Sequence, residues 1–152
     1  MHRRERQAGE TDSRPDTRAH MSDLAFMDPP HQVRVRYCDT DRMGVAHHGS
    51  YVAWFEEART EWMRRRGRSY RQMEDDGLLL QIVDLSVRYL RPIDYDDVVL
   101  IGVAVSGRSK AAITLEYQVT RADTGELTTT GMTRLACVSR EGRPRRLPPD
   151  LS

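Results

Sequence analysis

The period of the apolar residues changes twice along this chain, and these changes limit the fold more than any other feature. In residues 32–38 apolar and charged residues alternate, which predicts a half-buried strand with Val33, Val35 and Tyr37 on one face. In residues 50–66 the apolar residues recur at helical spacing, which predicts a long amphipathic helix. The recurring residues are Tyr51, Phe55, Ala58 and Trp62, with Trp54 widening the stripe.

The ends of this helix have recognisable signals. Ser50 is a plausible N-cap because its hydroxyl could accept a backbone N–H, and Gly67 is suited to end the helix. Ser69 followed by Gln72 has the spacing of a capping box. This pair predicts one further short helix that ends near Gly77.

Four strand-length segments follow the helices. Residues 83–89 alternate in polarity, and the segments DVVLIGVAVSG, KAAITLEYQVT and ELTTTGMTRLACVS are separated by turn residues. A strand, a long helix and four successive strands predict an α+β fold in which an antiparallel sheet wraps around one long central helix. The sheet would have free edges and apolar residues on its outer face, notably in VVLIGVAV, so we expect a homodimer or homotetramer.

Length and composition set further limits. The 152 residues (17.5 kDa) allow one domain, which we place at residues 31–152. Residues 1–30 mix charges, Gly and Pro without apolar periodicity and are predicted to be a disordered tail. Cys38 and Cys137 lie in apolar alternating runs and are expected to be reduced and buried.

Charge and hydropathy exclude several classes of partner. The net charge of +1 provides no overall field that would attract nucleic acid or an acidic membrane surface. No apolar stretch approaches the ~18 residues that membrane insertion requires. We therefore expect a soluble cytoplasmic protein that binds neither nucleic acid nor the membrane interior.

The segment YCDTDRMGVAHHGSY, residues 37–51, is the richest in chemically useful side chains. It contains two carboxylates, a glycine and two histidines between the end of a strand and the start of the long helix. The N–H groups at a helix N-terminus can polarise a carbonyl oxygen, and a nearby carboxylate can activate water or attack the carbonyl carbon. These residues predict a candidate acyl-transfer site.

The run VRVRYCDTDRMGVAHHGSYVAWFEEARTEW resembles the signature of the 4-hydroxybenzoyl-CoA thioesterase-like hotdog family, especially its Tol-Pal-associated acyl-CoA thioesterase branch. The similarity continues through DLSVRYLRPIDYDD, GRSKAAITLEYQV and GRPRRLPPDL, so it covers roughly residues 32–150. The resemblance implies a hotdog fold and hydrolysis of an acyl-CoA thioester to the free acid and CoA. It implies no separate cofactor, because coenzyme A is part of the substrate.

The resemblance also assigns roles to individual residues. Asp41 matches the catalytic carboxylate, acting as general base or nucleophile, and Gly44 matches the glycine of the following loop. His48 matches the position at the helix entrance whose backbone N–H polarises the thioester carbonyl and whose side chain can assist. His47 replaces an aromatic residue of the family, so the resemblance does not define the shape of the acyl pocket.

Arg108, Ser109 and Lys110 fall in a predicted hairpin loop. In related enzymes this loop lies near the nucleotide end of the substrate, so the resemblance implies that these three residues bind it. Arginine and lysine side chains suit that role because they donate charge-assisted hydrogen bonds to phosphates.

Structural roles compete with several of these assignments. Asp39 and Asp41 are both suited to capping turns, and we assign Asp39 to that role. Adjacent histidines seldom reach one ion together, and no well-spaced ligand set accompanies them, so we predict no metal site. Glu56 and Glu57 are expected to be solvated or paired with Arg59 and Arg64, although a helical glutamate is the catalytic base in other hotdog enzymes.

Two other functions fit the same fold. A hotdog dehydratase or isomerase would act on acyl thioesters with a His and acid pair at the helix. A noncatalytic protein could bind acyl-CoA in the same cleft. Release of free thiol distinguishes hydrolysis from both alternatives.

Overall fold

The computed structural model of the chain describes residues 21–151. Within this range the sheet is formed by strands β1 (His31–Arg34), β2 (Leu78–Tyr89), β3 (Val98–Arg108), β4 (Ala112–Arg121) and β5 (Leu127–Ser139). The helices are α1 (Ser50–Arg65) and α2 (Tyr70–Asp75), with short 3₁₀ turns at Tyr37–Asp39 and Pro149–Leu151. The predicted order of one strand, a long and a short helix, and four long strands is confirmed.

The strands form one antiparallel sheet in the order β1-β3-β4-β5-β2. Strands β1 and β2 are therefore its two edges. A β-bulge at Val83 interrupts the pairing of β2 with β5, because Ile82 pairs with Leu135 and Asp84 with Arg134. A bulge bends a strand and increases its twist. The α+β architecture expected from the sequence is confirmed.

Helix α1 packs its apolar stripe against the concave face of the sheet. All five residues predicted for the stripe are at most 6% exposed. The ring of Phe55 stacks on Tyr117 at a centroid distance of 4.4 Å and lies directly over Gly131, where any side-chain carbon would overlap it. The glycine thus lets the helix approach β5 closely.

The first strand is shorter than predicted, because it ends at Arg34. Val33 and Val35 are buried as expected, but the prediction was wrong for Tyr37, which is 80% exposed, and for Cys38, which is an exposed free thiol. The chain turns here because the carboxylate of Asp39 accepts a hydrogen bond from a backbone N–H three residues earlier. Cys137 is buried and free, as predicted.

The helix ends also test the capping predictions. Ser50 is the first helical residue and its hydroxyl donates to the carbonyl of Asp39, so the prediction that it is the N-cap was wrong. Gly67 follows the helix with a φ of +88° and ends it as predicted. The capping box of Ser69 and Gln72 is confirmed at the start of α2.

Residues 21–30 differ from the predicted tail, because they pack along the sheet. The N–H of Met27 donates to the carbonyl of Val103, and the ring of Phe26 lies on Gly102 of the outer face. Part of the apolar outer face that suggested a subunit contact is therefore covered by the chain itself. The predicted tail at residues 1–20 lies outside the described residues.

Candidate active site

A cleft of about 380 Å³ opens between the loop after β1, the start of α1 and the end of β2. The loop is held against the sheet by a bridge between Val45 and Asp94 and by the N–H of Ala46, which donates to the carbonyl of Ile93. The residues lining the cleft are Asp41, Met43, Val45, Ala46, His48, Tyr51, Tyr89, Leu90, Arg91 and Pro92.

Asp41 is exposed at the wall of this cleft. One carboxylate oxygen, Oδ1, accepts a hydrogen bond of 2.8 Å from the N–H of Met43, which is the pattern of an Asx turn. The backbone closes the same turn, because the N–H of Gly44 donates to the carbonyl of Asp41. Asp41 therefore caps a turn and also presents a carboxylate to the cleft.

Gly44 has a φ of +79°, a conformation that favours glycine. It shapes the loop but is not among the residues that line the cleft, whereas its neighbours Met43 and Val45 are. Its assignment to substrate binding therefore stays a prediction, and the structure shows its backbone role.

Asp39 is buried and has a different environment from Asp41. Its carboxylate accepts three hydrogen bonds of 2.8–3.2 Å from the backbone and guanidinium of Arg36. Burial acts to raise the pKa of Asp39, but the hydrogen bonds and charge of Arg36 outweigh burial and hold this pKa below its ordinary value. The carbonyl of Asp39 accepts from the N–H of His47 and the hydroxyl of Ser50, so this residue joins the end of β1 to the start of α1.

His48 lies at the helix entrance with its side chain exposed to the cleft. Its carbonyl accepts a 2.6 Å hydrogen bond from the hydroxyl of Tyr89. Among residues 21–151 no acceptor is hydrogen-bonded to the N–H of His48. This amide belongs to the positive end of α1, where N–H groups without intrahelical partners can stabilise negative charge.

Tyr89 was not identified as a site residue from the sequence. Its ring packs edge-on against Tyr51 at 5.0 Å, and burial raises the pKa of its hydroxyl, which keeps that hydroxyl available as a donor. The alternating pattern of β2 places Tyr89 on one face of a strand but gives no sign that this strand ends beside the loop. Only the tertiary structure brings the two together.

The rings of His47 and His48 lie side by side, 4.0 Å apart between centroids. Nδ1 of His47 accepts a hydrogen bond from the N–H of Gly49. Within residues 21–151 no group of three or more His, Cys, Asp or Glu side chains is arranged to hold a metal ion. The same part of the chain has no helix with the length and hydropathy that crossing a membrane requires.

The hairpin residues Arg108, Ser109 and Lys110 are exposed and lie away from the cleft. The loop that forms the cleft is held near Val98, at the start of β3. The hairpin follows Arg108, at the end of β3. At 3.3 Å per residue, the two ends of this strand are about 30 Å apart. In one chain the structure does not bring the hairpin to Asp41.

The C-terminal segment runs beside this hairpin. The N–H of Leu147 donates to the carbonyl of Lys110, and the N–H of Arg145 donates to the carbonyl of Cys137. Four exposed basic side chains therefore share this end of the sheet: Arg108, Lys110, Arg145 and Arg146. We call them the basic end.

The glutamates of α1 do not form the pairs that we expected. Glu57 contacts His31 at 3.3 Å, and Arg64 pairs with Glu61 at 3.5 Å. The guanidinium of Arg59 instead donates to the hydroxyl of the buried Tyr117. Both Glu56 and Glu57 are exposed, so the alternative that they are solvated is confirmed, whereas their pairing with Arg59 and Arg64 is not observed among the described residues.

Residues 33–152 match the thioesterase-like superfamily. The chain belongs to this superfamily. The acyl-CoA thioesterase YbgC of Haemophilus influenzae is 33% identical over 102 residues, which are 66% of this chain and 73% of that protein. The acyl-CoA thioester hydrolase YbgC of Escherichia coli O6:H1 is 28% identical over 116 residues, which are 76% of this chain and 87% of that protein.

A solved structure supports the same assignment. The DHNA-CoA thioesterase of Staphylococcus aureus is 36% identical and superposes with a TM-score of 0.74, covering 77% of this chain and 78% of that one. The hotdog fold implied by the sequence is confirmed for this member of the thioesterase-like superfamily.

The lowered pKa of Asp39 leads to a prediction about stability. A depressed carboxyl pKa stabilises the folded protein above the unfolded value of ~3.9, and this contribution is lost as the pH falls through the folded pKa. For Asp39→Asn we expect the loss in the free energy of unfolding to be largest at neutral pH and to shrink below pH ~4. Urea unfolding at several pH values measures it.

Asp75→Asn is the matched control, because Asp75 is exposed at the end of α2. The loss in the free energy of unfolding for Asp75→Asn should be small at every pH. A loss for Asp39→Asn that does not vary with pH would contradict the proposed charge contribution.

Proposed function

We propose that this protein hydrolyses an acyl-CoA thioester to the free acid and CoA. One observation carries the proposal: the same cleft is lined by Asp41, which is exposed, and by His48, whose N–H has no hydrogen-bond acceptor within residues 21–151. The first can supply a base or nucleophile, and the second can stabilise an oxyanion. The names of the superfamily members that this chain resembles support thioester hydrolysis as the reaction. We also propose that the chain belongs to the Tol-Pal-associated branch, because residues 33–62 resemble the signature of that branch.

The reaction requires attack on the thioester carbon. In one route Asp41 takes a proton from water as the water oxygen bonds to that carbon. The carbonyl oxygen becomes negative and is stabilised by the N–H of His48 at the positive end of α1. The C–S bond then breaks, and the sulfur leaves as the CoA thiolate, which takes up a proton.

In the other route the carboxylate of Asp41 attacks the thioester carbon, the C–S bond breaks and the thiolate leaves, and water hydrolyses the transient anhydride that remains. Both routes use the same two groups. In both, the side chain of His48 stands beside the reacting atoms, and Tyr89 orients the peptide that follows this residue.

Removing the base while keeping its shape tests the proposal. For Asp41→Asn we expect thiol release from acyl-CoA to fall by about a hundredfold or more, because general-base groups contribute about that much. A thiol-reactive dye measures the rate over short, long and aromatic acyl-CoA thioesters.

Asp75→Asn serves as the control here also, since its carboxylate is exposed outside the cleft. Near-normal turnover of Asp41→Asn would eliminate the assignment of Asp41. Binding of acyl-CoA by the wild type without thiol release would favour the noncatalytic alternative, and altered acyl-CoA without thiol release would favour a dehydratase or isomerase.

We further propose that Arg108, Ser109 and Lys110 bind the nucleotide of the substrate, with the rest of the basic end. No ion pair neutralises Arg108, Lys110, Arg145 or Arg146 among the described residues, so these side chains are available to phosphates. Because Asp41 is remote from this end in one chain, the proposal places a bound substrate across two subunits.

Removing the positive charges of the hairpin should weaken only the contacts with the phosphates of the substrate. For the double variant Arg108→Ala and Lys110→Ala we expect KM for acyl-CoA to rise roughly tenfold, which corresponds to ~0.7 kcal/mol for each of the two exposed charge contacts. KM for the matching acyl-pantetheine, which lacks the nucleotide, should change far less.

Arg71→Ala is the control, because Arg71 is an exposed arginine of α2 outside the basic end. Equal changes for the two substrates would show that the hairpin does not act on the nucleotide.

We also propose that two copies of the chain pair through β2 to form a homodimer. Two such dimers could associate further into a homotetramer. Among the described residues no strand pairs with the outer edge of β2. Four of its residues, Ile82, Val83, Leu85 and Tyr89, are large, apolar or aromatic and 41–48% exposed. An apolar strand edge of this kind is usually covered by another chain.

Light scattering at micromolar concentration should give at least twice the mass of the chain. For Leu85→Arg, near the middle of β2, we expect dissociation, because the pairing would bury two like charges near the symmetry axis. Leu127→Arg makes the same change at an exposed leucine of β5 and should leave the mass unaltered. A wild-type monomer would refute the proposed assembly.

A further inference from the structure

The two peptide groups on either side of His48 are both held by hydrogen bonds. The first contains the N–H of His48, and its carbonyl, from His47, accepts a 2.9 Å hydrogen bond from the N–H of Ser50. The second is held at both ends, because its carbonyl accepts from the hydroxyl of Tyr89 at 2.6 Å and its N–H, from Gly49, donates to Nδ1 of His47 at 3.0 Å. The N–H of His48, which has no acceptor within residues 21–151, is thus fixed from both sides.

The hydrogen bond between His47 and Gly49 has the pattern of an Asx turn. A side-chain acceptor binds the backbone N–H two residues further along the chain. A protonated imidazole donates at both nitrogens, so a ring that accepts at Nδ1 is neutral and carries its proton on Nε2. The ring of His47 is exposed and is not among the groups that line the cleft. Its polar contact is therefore with its own backbone rather than with the cleft.

Gly49 leaves the space that this ring occupies. Its φ of −75° and ψ of −19° are open to any residue, so backbone conformation does not require a glycine here. A Cβ at this position would lie 3.2 Å from Nδ1 and 3.4 Å from Cε1 of His47. Both distances are below the ~3.5–4.0 Å at which nonbonded carbon atoms are in favourable contact. The missing side chain thus allows the ring to reach the N–H of Gly49.

The contact depends on a histidine at residue 47. The family resemblance leads us to expect an aromatic residue at this position, and the benzene ring of such a residue has no acceptor where Nδ1 lies. The ring of His47 also lies beside that of His48, with 4.0 Å between centroids, and an aromatic hydrocarbon could reproduce that packing. Acceptor and ring are therefore separable contributions of the same side chain.

We propose that His47 and Gly49 form a positioning pair, which holds the N–H of His48 in the direction that stabilises the oxyanion of the thioester. This inference rests on the proposed hydrolysis. Without the acceptor, the exposed N–H of Gly49 would bond to water, and the peptide after His48 would keep only its bond to Tyr89. A donor that is held in advance stabilises developing charge better than one that must reorient during the reaction.

Two substitutions of His47 separate the acceptor from the ring. His47→Asn keeps an acceptor suited to an Asx turn and removes the ring, and we expect kcat within about twofold of the wild type. His47→Phe keeps the ring and removes the acceptor, and we expect kcat to fall about threefold to tenfold, the range for one hydrogen bond. KM for acyl-CoA should change little, because the oxyanion exists only beyond the ground state.

The control is His31→Phe, which makes the same change at a histidine of β1 that contacts Glu57 and does not line the cleft. Its kcat should equal that of the wild type. Thiol release from acyl-CoA measures all of these rates.

Gly49→Ala tests the other member of the pair. The added methyl group should displace the ring of His47 and lower kcat by a factor similar to that of His47→Phe. In the double variant, Gly49→Ala should lower kcat no further, because the bond that it disrupts is already absent. Multiplied effects would show that the two residues act independently, which would contradict the pair.

The hydrogen bond itself is measured without turnover. In the ¹⁵N-labelled protein at about pH 8, where a histidine is ordinarily neutral, NMR detects the coupling between two nitrogens that share a hydrogen bond. We expect this coupling between the amide of Gly49 and Nδ1 of His47 in the wild type. It should be absent from His47→Phe and from Gly49→Ala.

The contrary results differ from one another. A wild type without the coupling, or a loss of kcat in His47→Asn but not in His47→Phe, would overturn the role of the acceptor. A rise in KM at unchanged kcat would mean that His47 affects binding and not the oxyanion. If the coupling is present but no acyl-CoA releases thiol, the contact exists and the proposed hydrolysis fails, and the positioning role fails with it.

Discussion

The burial of one face of α1 against the sheet is the constraint on which the candidate site depends. Phe55 rests on Gly131 and stacks on Tyr117, which holds the helix close to the inner strands. A helix held in this way has a defined N-terminus, and the amide of His48 lies there. The apolar packing therefore determines where an oxyanion could be stabilised, although no packed side chain needs to touch the substrate.

Two aspartates in one triplet illustrate how burial separates structural from chemical roles. Asp39 is buried, bound by Arg36 and linked to the start of α1, so its charge is used within the fold. Asp41 also closes a turn, but it stays exposed at the wall of the cleft. A carboxylate must be both held and accessible to act on a substrate. In this triplet only the second residue meets both conditions, because Asp39 holds the loop that presents it.

Among residues 21–151 no strand pairs with the outer edge of β2, and several of its apolar side chains are exposed. One end of β2 lines the cleft and the other lines a second pocket of about 270 Å³ beside α1, and the exposed residues Val83 and Leu85 lie between them. The basic end is also far from Asp41 within one chain. An assembly through β2 would bring all three features together, because antiparallel pairing places one end of each strand beside the other end of its partner. The apolar edge would then serve both association and the construction of the site.

Much of this arrangement could be predicted from local sequence. The period of Tyr51, Phe55, Ala58 and Trp62 determined the buried face of α1, and the spacing of Ser69 and Gln72 determined the start of α2. Such signals are reliable because they depend on neighbours within a turn or two of helix. The segment around Asp41 and His48 likewise indicated a carboxylate near a helix N-terminus, since the chain itself joins them.

Contacts between distant segments were decided only by the tertiary structure. The early end of β1 and the exposure of Tyr37 and Cys38 follow from the bonds of Asp39, which local alternation does not reveal. The bond between Tyr89 and His48 joins residues 41 positions apart, and the contact of Arg59 with Tyr117 joins residues 58 positions apart. Sequence periodicity determines which side of a strand or helix a residue occupies. Its partner depends on how the sheet curls around the helix, and that is set by the packing of the whole core.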